Sequence, residues 1–328
     1  MEVVDDWELC FPEFPNISCW KPPSPWPETL LINIALYSIS VLTAVLNLLI
    51  IISVSHFRQL HTPTNILLLS LAVSDFLVGL LVMPVETILK TSCWFLDDLV
   101  CSLYIYVTYT VISASVGDMV LISVDRYVAI CDPLHYTTRI TVKRSKVCVC
   151  LLWVCCVAYI GFLLKQDLSQ KNSYHFCNGA CVVLMDQTSD YVDLVLNFIV
   201  PITVIIVLYS QVFVVAVSQA RAMRSHITVT KQSSVTKTAK KSELKAARTL
   251  GVFVVVFLMC YCPHYCVSLV GYNFLDYSSA SFMTYLIYFN SCLNPVIYAL
   301  FYPWFRKTVK LIVTLQILQP GSCEANIL

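Results

Sequence analysis

Apolar residues run along this chain in blocks far longer than a soluble helix needs, with polar residues gathered between them. About 20 mostly apolar residues cross a bilayer as one helix. Seven stretches meet that length and predict spans at 29–54, 65–89, 99–130, 147–165, 189–217, 245–272 and 280–302. The third is the weakest, because Thr, Ser, Gly and Asp interrupt it. The fourth is short but almost uniformly apolar from Val147 to Leu164. Beyond the seventh, Trp304 to Leu315 reads as an amphipathic helix lying on a membrane surface. The expected fold is all-α: an extracellular segment (1–28), a seven-helix transmembrane domain (29–302), and a cytoplasmic amphipathic helix with its tail (303–328).

Composition sharpens this picture. The chain is 58% hydrophobic and 12% charged, where a soluble domain carries roughly a quarter of its residues charged. Much of its outer surface must therefore face lipid. A net charge of +1 implies no bulk attraction to nucleic acid. Lys and Arg concentrate in cytoplasmic loops of membrane proteins. Of the 21 basic residues, only Lys21, Lys90, Lys165 and Lys171 fall on the N-terminal side of the membrane. The N-terminus is expected outside and the C-terminus inside. Asn16-Ile17-Ser18 is an N-glycosylation acceptor in the one long segment placed outside. Cys10, Cys19, Cys93, Cys101, Cys177 and Cys181 lie at or beyond the outer ends, in oxidising space. Position suits Cys101 and Cys181 to pin an outer loop to the third span.

Charged and polar groups inside a bilayer are costly and need a partner or a task. Asp75, Asn47, Asn290 and Asn294 fall at similar depth in the second, first and seventh spans. They predict one polar cluster, either holding a sodium ion with water or joining helices by hydrogen bonds. Asp125-Arg126-Tyr127 closes the third span at the inner face, and Glu243 opens the sixth. Arg126 paired with Asp125 and Glu243 is expected to act as a breakable tie, or as an ordinary interfacial ion pair. Pro201, Pro263 and Pro295 predict kinks in the last three spans. Asp118, in the third span, has no evident task; it is either neutral or paired with a serine of a neighbouring helix.

This ordered set resembles the rhodopsin-like class of G-protein-coupled receptors. The resemblance covers nearly the whole chain: Asn47, Leu71-Ala72-Val73-Ser74-Asp75, Asp125-Arg126-Tyr127, Trp153, Pro201, Tyr209, Phe257, Pro263 and Asn294-Pro295-Val296-Ile297-Tyr298. Within that class it is most similar to the trace amine-associated receptors. Asn290 through Tyr298, continuing through Phe301-Tyr302-Pro303-Trp304-Phe305-Arg306-Lys307, is close to that family's seventh-span fingerprint. His56 through Asn65, Cys131-Asp132-Pro133-Leu134 and Cys177-Asn178-Gly179-Ala180-Cys181 also fit. The resemblance implies a Cys101–Cys181 disulfide and a second from Cys177 to an N-terminal cysteine, with Cys19 preferred and Cys10 the alternative. It also implies a small amine ligand, a heterotrimeric G protein of the stimulatory or olfactory type, arrestin as a further partner, and the plasma membrane as location. No cofactor is expected beyond a sodium ion at Asp75.

One departure from the family bears on the ligand. Most aminergic receptors carry an aspartate in the third span, 17 residues before the Asp of the Asp-Arg-Tyr motif; here that position is Thr108. Asp193, eight residues before Pro201, lies about 12 Å toward the outside on a regular helix. A fish-expanded group of these receptors makes the same exchange, so Asp193 is the expected ammonium anchor, against a solvated interfacial aspartate. Glu86 is a second candidate, suited to a diamine; its alternative is a pair with Lys90 four residues on. Tyr261, His264, Tyr265 and Tyr288 are expected to complete an aromatic cavity, since aromatic faces attract cations, although any single ring fits plain packing. Tyr261 stands where the class usually has tryptophan. His264 is a candidate source of pH-dependent response. Cys323 is either palmitoylated or free.

Rival functions find less support. A transporter of organic cations calls for internal repeats, and seven spans do not divide evenly. A monoamine neurotransmitter receptor is disfavoured by Thr108, and a signalling-dead decoy by the intact inner motifs. An enzyme is not expected, because the six histidines offer no ligand spacing.

Overall fold

The computed structural model of the chain describes residues 8–13, 15, 18–21, 28–169, 179, 181, 187–227, 251–267, 269 and 277–327. Long helices make up nearly all of it: α1 (Glu28–His56), α2 (Pro63–Leu77), α3 (Met83–Thr91), α4 (Asp98–Cys131), α5 (Pro133–Arg139), α6 (Val142–Ser169), α7 (Gln187–Leu194), α8 (Val200–Ile227), α9 (Gly251–Val267), α10 (Tyr277–Phe301) and α11 (Pro303–Val313). Among the described residues, Leu30–His56, Pro63–Leu89, Asp98–Cys131, Val142–Lys165 and Thr188–Val215 are long and apolar enough to cross a membrane. The third span, weakest by composition, forms the longest helix among the described residues, at 34 residues. Its Thr, Ser and Asp side chains point inward: Thr108, Thr110, Ser113, Ser115, Asp118 and Ser123 are all buried. Leu31, Val41, Val154, Phe162, Phe213 and Val214 are exposed. A surface of that kind needs an apolar solvent.

α4 packs against α2, α6 and α8, and α1 against α2 and α10. Two glycines permit close crossings. A Cβ on Gly79 would lie 2.7 Å from the Ala44 backbone nitrogen, and one on Gly117 would lie 2.3 Å from Leu152 Cδ1. Small residues at such crossings let membrane helices approach closely.

The second and fifth spans are not continuous α-helices. A π turn at Val78–Val82 joins α2 to α3, and another at Val195–Ile199 joins α7 to α8. Both have one physical cause. Proline lacks an N–H and its ring displaces the carbonyl four residues earlier. Pro84 displaces Leu80 and Pro201 displaces Asn197, and each of those residues sits inside a π turn. A π turn inserts one residue, which rotates everything before it by roughly 100° about the helix axis. Asp193 lies before the second π turn, so this rotation sets its facing, which spacing alone did not give.

At the end of the bundle that carries the N-terminal segment, a short antiparallel pair (Glu8–Leu9 with Trp20–Lys21) rests near two disulfides, Cys101–Cys181 and Cys10–Cys93. Cys10 is therefore not the partner of Cys177, which corrects the alternative left open by the resemblance. Cys19 is disulfide-bonded, and Cys177 lies outside the described residues. The Cys10–Cys93 bond is supported by Phe11 edge-on to Phe95 at 5.8 Å and by the Trp94 amide donating to the Gly179 carbonyl at 2.9 Å. Gly179 has φ +106°, and a Cβ there would lie 2.6 Å from Cys10 Cβ, so only glycine fits.

At the opposite end, the chain after α11 folds back on the α1–α2 connection. Ile327 is 1% exposed and its amide donates to Gln59 Oε1 at 3.1 Å. Arg58 meets Glu324 at 3.3 Å, and His56 Nε2 lies 2.9 Å from Ser322 Oγ. In the connection after α4, the His135 imidazole 2.7 Å from Asp132, with Arg139 at 3.3 Å, holds the Asp132 carboxyl below its ordinary range.

Candidate functional site

The expected ligand residues form two groups near the disulfide end of the bundle. In the first, Asp193 on α7 is half-buried. Asn197 Nδ2 donates to its Oδ1 at 2.6 Å, and the Tyr265 hydroxyl of α9 donates to its Oδ2 at 3.4 Å. The Tyr265 ring stacks on Phe198 at 4.5 Å, and half-buried His264 stands edge-on to Tyr265 at 5.3 Å. In the second group, the Tyr104 hydroxyl of α4 donates to Glu86 Oε2 at 3.1 Å. The hydroxyls of Thr87 and Tyr285 lie 3.3 Å apart, and Tyr285 meets buried Tyr288 edge-on at 6.1 Å. Thr108 is buried on α4, with its hydroxyl making no hydrogen bond to the described residues. Tyr261 lies deeper, 2% exposed and stacked on Phe257 at 4.4 Å. It belongs to the packed centre of the bundle more than to the cavity wall. The Lys90 side chain lies outside the described residues.

Sequence spacing contained a signal for one unexpected partner: Asn197 follows Asp193 by four residues, within side-chain reach along one span.

The polar cluster is central and buried. Asn294 Nδ2 donates to Asp75 Oδ2 at 2.7 Å, and Ser115 Oγ donates to Oδ1 at 3.2 Å. Asn47 donates from Nδ2 to the carbonyls of Thr43 and Ser291, each at 3.0 Å. Asn47 Oδ1, Asn294 Oδ1 and both amide atoms of Asn290 are buried without a hydrogen bond to the described residues. Buried polar groups are costly to leave unpaired, and carboxylate and amide oxygens are the donor types that would hold a hard monovalent cation. Asp118 belongs to a separate relay. Trp153 Nε1 donates to Ser70 Oγ at 3.0 Å, and Ser70 Oγ donates to Asp118 Oδ2 at 2.8 Å. The relay ties α6, α2 and α4 together, which accounts for the one charge the sequence left without a task.

At the opposite end, Arg126 Nε donates to Asp125 Oδ2 at 2.9 Å, and a second guanidinium nitrogen reaches Thr64 Oγ1. Asp125 also accepts from Thr64 at 2.8 Å and from Tyr136 at 2.9 Å. Arg126 is thus held by α2 and α4, and α5 holds its partner Asp125. Glu243 and Asn16 lie outside the described residues. Tyr127 is half-buried on α4. Tyr209 lines a small internal cleft with Met119, Ser123, Phe253 and Phe257. Tyr298, three residues after Pro295, is 1% exposed, with its ring 5.5 Å from Phe253 and 5.9 Å from Tyr302.

Residues 46–298 match the family model of the 7 transmembrane receptor (rhodopsin family). That match defines the class: a multi-pass plasma-membrane receptor and not an enzyme. The chain is 37% identical over 335 aligned residues to trace amine-associated receptor 13c of Danio rerio, covering 99% of this chain and 98% of that one. It is 38% identical to trace amine-associated receptors 7e and 8b of Mus musculus, covering 98% of this chain and 92% and 96% of theirs. The chain belongs to the trace amine-associated receptors of the rhodopsin family.

Proposed function

We propose that this receptor detects small water-soluble or volatile amines, in an olfactory role, with the ligand ammonium paired to Asp193. The observation that carries this reading is the position of Asp193, half-buried between α7 and α9 with Tyr265 against one oxygen. Thr108 offers only a hydroxyl on α4, and Asp193 is the carboxylate that Tyr265 meets among the described residues. The tyrosines around it supply cation–π faces worth about 0.5–2 kcal/mol each. Glu86 provides a second acidic pole, held by Tyr104, for the far amine of a diamine. The relatives are named for trace amines, and that supports the ligand class.

The N-terminus lies outside and the C-terminus inside, as the basic residues direct. An amine seated between α7 and α9 favours the state in which the inner end of α9 swings outward, which is a population shift. Arg126 then leaves Asp125 and Thr64, and a cytoplasmic cleft opens for a stimulatory G protein and later for arrestin. A sodium ion with water is the occupant proposed for the cluster of Asp75, Asn47, Asn290 and Asn294.

The test is a cyclic-AMP assay over mono- and diamines with Asp193→Ala and Glu86→Ala beside the wild type. Asp193→Ala is expected to lose potency toward every active amine, and Glu86→Ala toward diamines alone. Full potency of Asp193→Ala toward all of them sinks the anchor.

A further inference from the structure

An aspartate on a helix turns about two side-chain bonds and does not by itself hold its carboxylate toward a cavity. Two donors fix this one, and they are unequal. Asn197 holds Oδ1 at 2.6 Å, while Tyr265 reaches Oδ2 only at 3.4 Å. One oxygen is firmly engaged within its own span, and the other keeps most of its acceptor capacity. Asn197 is itself 8% exposed and sits inside the π turn Val195–Ile199. It is also the residue four before Pro201, whose ring forces that turn open. The proline, the π turn and the amide therefore act on one residue, and that residue orients Asp193.

We propose that Asn197 is a positioning residue for amine recognition: its side-chain amide clamps one oxygen of Asp193 and presents the other to the ligand's N–H beside the Tyr265 ring. The inference rests on Asp193 being the ammonium anchor. The ring that flanks the open oxygen is fixed in turn, because Tyr265 stacks on Phe198, the neighbour of Asn197 in the same π turn, at 4.5 Å and 18° between planes. One turn of one helix thus sets both the carboxylate and the aromatic wall. The clamp also limits what the site asks of a ligand. With Oδ1 engaged, a single N–H directed at Oδ2 is enough.

The test uses full-length receptor in cells, with phenylethylamine, isopentylamine and putrescine as probes, surface labelling to normalise expression, and cyclic AMP as output. Asn197→Ala removes the clamp, and roughly a 10-fold or greater loss of potency is expected, the scale of a hydrogen bond to a charged group. Asn197→Asp keeps the shape but replaces the donor with an acceptor, and it is expected to lose more than Asn197→Ala. Asn197→Ala added to Asp193→Asn is expected to cost nothing further, because the clamp has nothing left to orient. A structural role alone gives the opposite on both counts: Asn197→Asp milder than Asn197→Ala, and losses that add.

Two failures are distinguishable. If Asp193→Asn loses response while both Asn197 variants keep wild-type potency, the clamp is overturned and the anchor stands. If Asp193→Asn keeps full potency, or no probe activates the wild type, the anchor reading falls and this inference with it.

Discussion

Substitution of Ser70 by alanine tests the relay that joins three helices. The Ser70 hydroxyl accepts from Trp153 Nε1 at 3.0 Å and donates to Asp118 Oδ2 at 2.8 Å. Its removal strands the indole N–H of half-buried Trp153 and a buried carboxyl together, with Asp118 Oδ1 already unpaired among the described residues. An orphaned buried group costs about 1–3 kcal/mol in soluble cores. Interhelical hydrogen bonds in membranes average nearer about 0.6 kcal/mol. Two stranded groups therefore place the cost of Ser70→Ala at about 1–3 kcal/mol, or a fall in melting midpoint of roughly 1–4 °C for a chain of 328 residues. Trp153→Phe leaves Ser70 free to donate to Asp118 and is expected to cost less. The assay is thermal unfolding of purified receptor with a thiol-reactive dye, which reports as buried Cys156, Cys260 and Cys292 become accessible. An unchanged midpoint for Ser70→Ala, or a larger fall for Trp153→Phe than for Ser70→Ala, refutes the relay.

Three further outcomes are expected. Gly79→Leu places a side chain against the Ala44 backbone and abolishes surface expression, whereas Gly117→Ala meets only the tip of Leu152, which can turn aside; surface labelling separates the two. Ile327→Glu places a charge in a site that is 1% exposed, releases the folded-back tail, and raises the labelling rate of half-buried Cys323 several-fold. Cys10→Ser frees the thiol of Cys93, which then raises labelling by an impermeant maleimide on intact cells above the wild-type level.

The spans were legible in the sequence because lipid imposes a length and a composition that few other environments demand. The polar cluster around Asp75 was legible for the complementary reason: polar groups stand out against an apolar run. What pattern did not disclose lies where two helices meet. No periodicity says that Tyr104 of α4 faces Glu86 of α3, or that Ser70 stands between Trp153 and Asp118. Straight-helix arithmetic gave Asp193 a depth but not a facing, because the Pro201 ring converts the intervening turn to π geometry. The Cys10–Cys93 bond was missed because six cysteines in one compartment permit many pairings and sequence does not choose among them.

The central claim is that a carboxylate on the fifth span does the work of the missing one on the third. Asp193→Asn changes one oxygen to an amide and removes only the charge, and adding Thr108→Asp returns a carboxylate to the facing helix. Concentration–response curves of the two variants and the wild type to the most potent amine, normalised to surface expression, measure the exchange directly. Asp193→Asn is expected to lose about 2–5 kcal/mol of ligand affinity, the scale of a broken buried charge pair, which is roughly 30-fold or more in potency. The double variant is expected to recover part of it. Wild-type potency in Asp193→Asn contradicts the account.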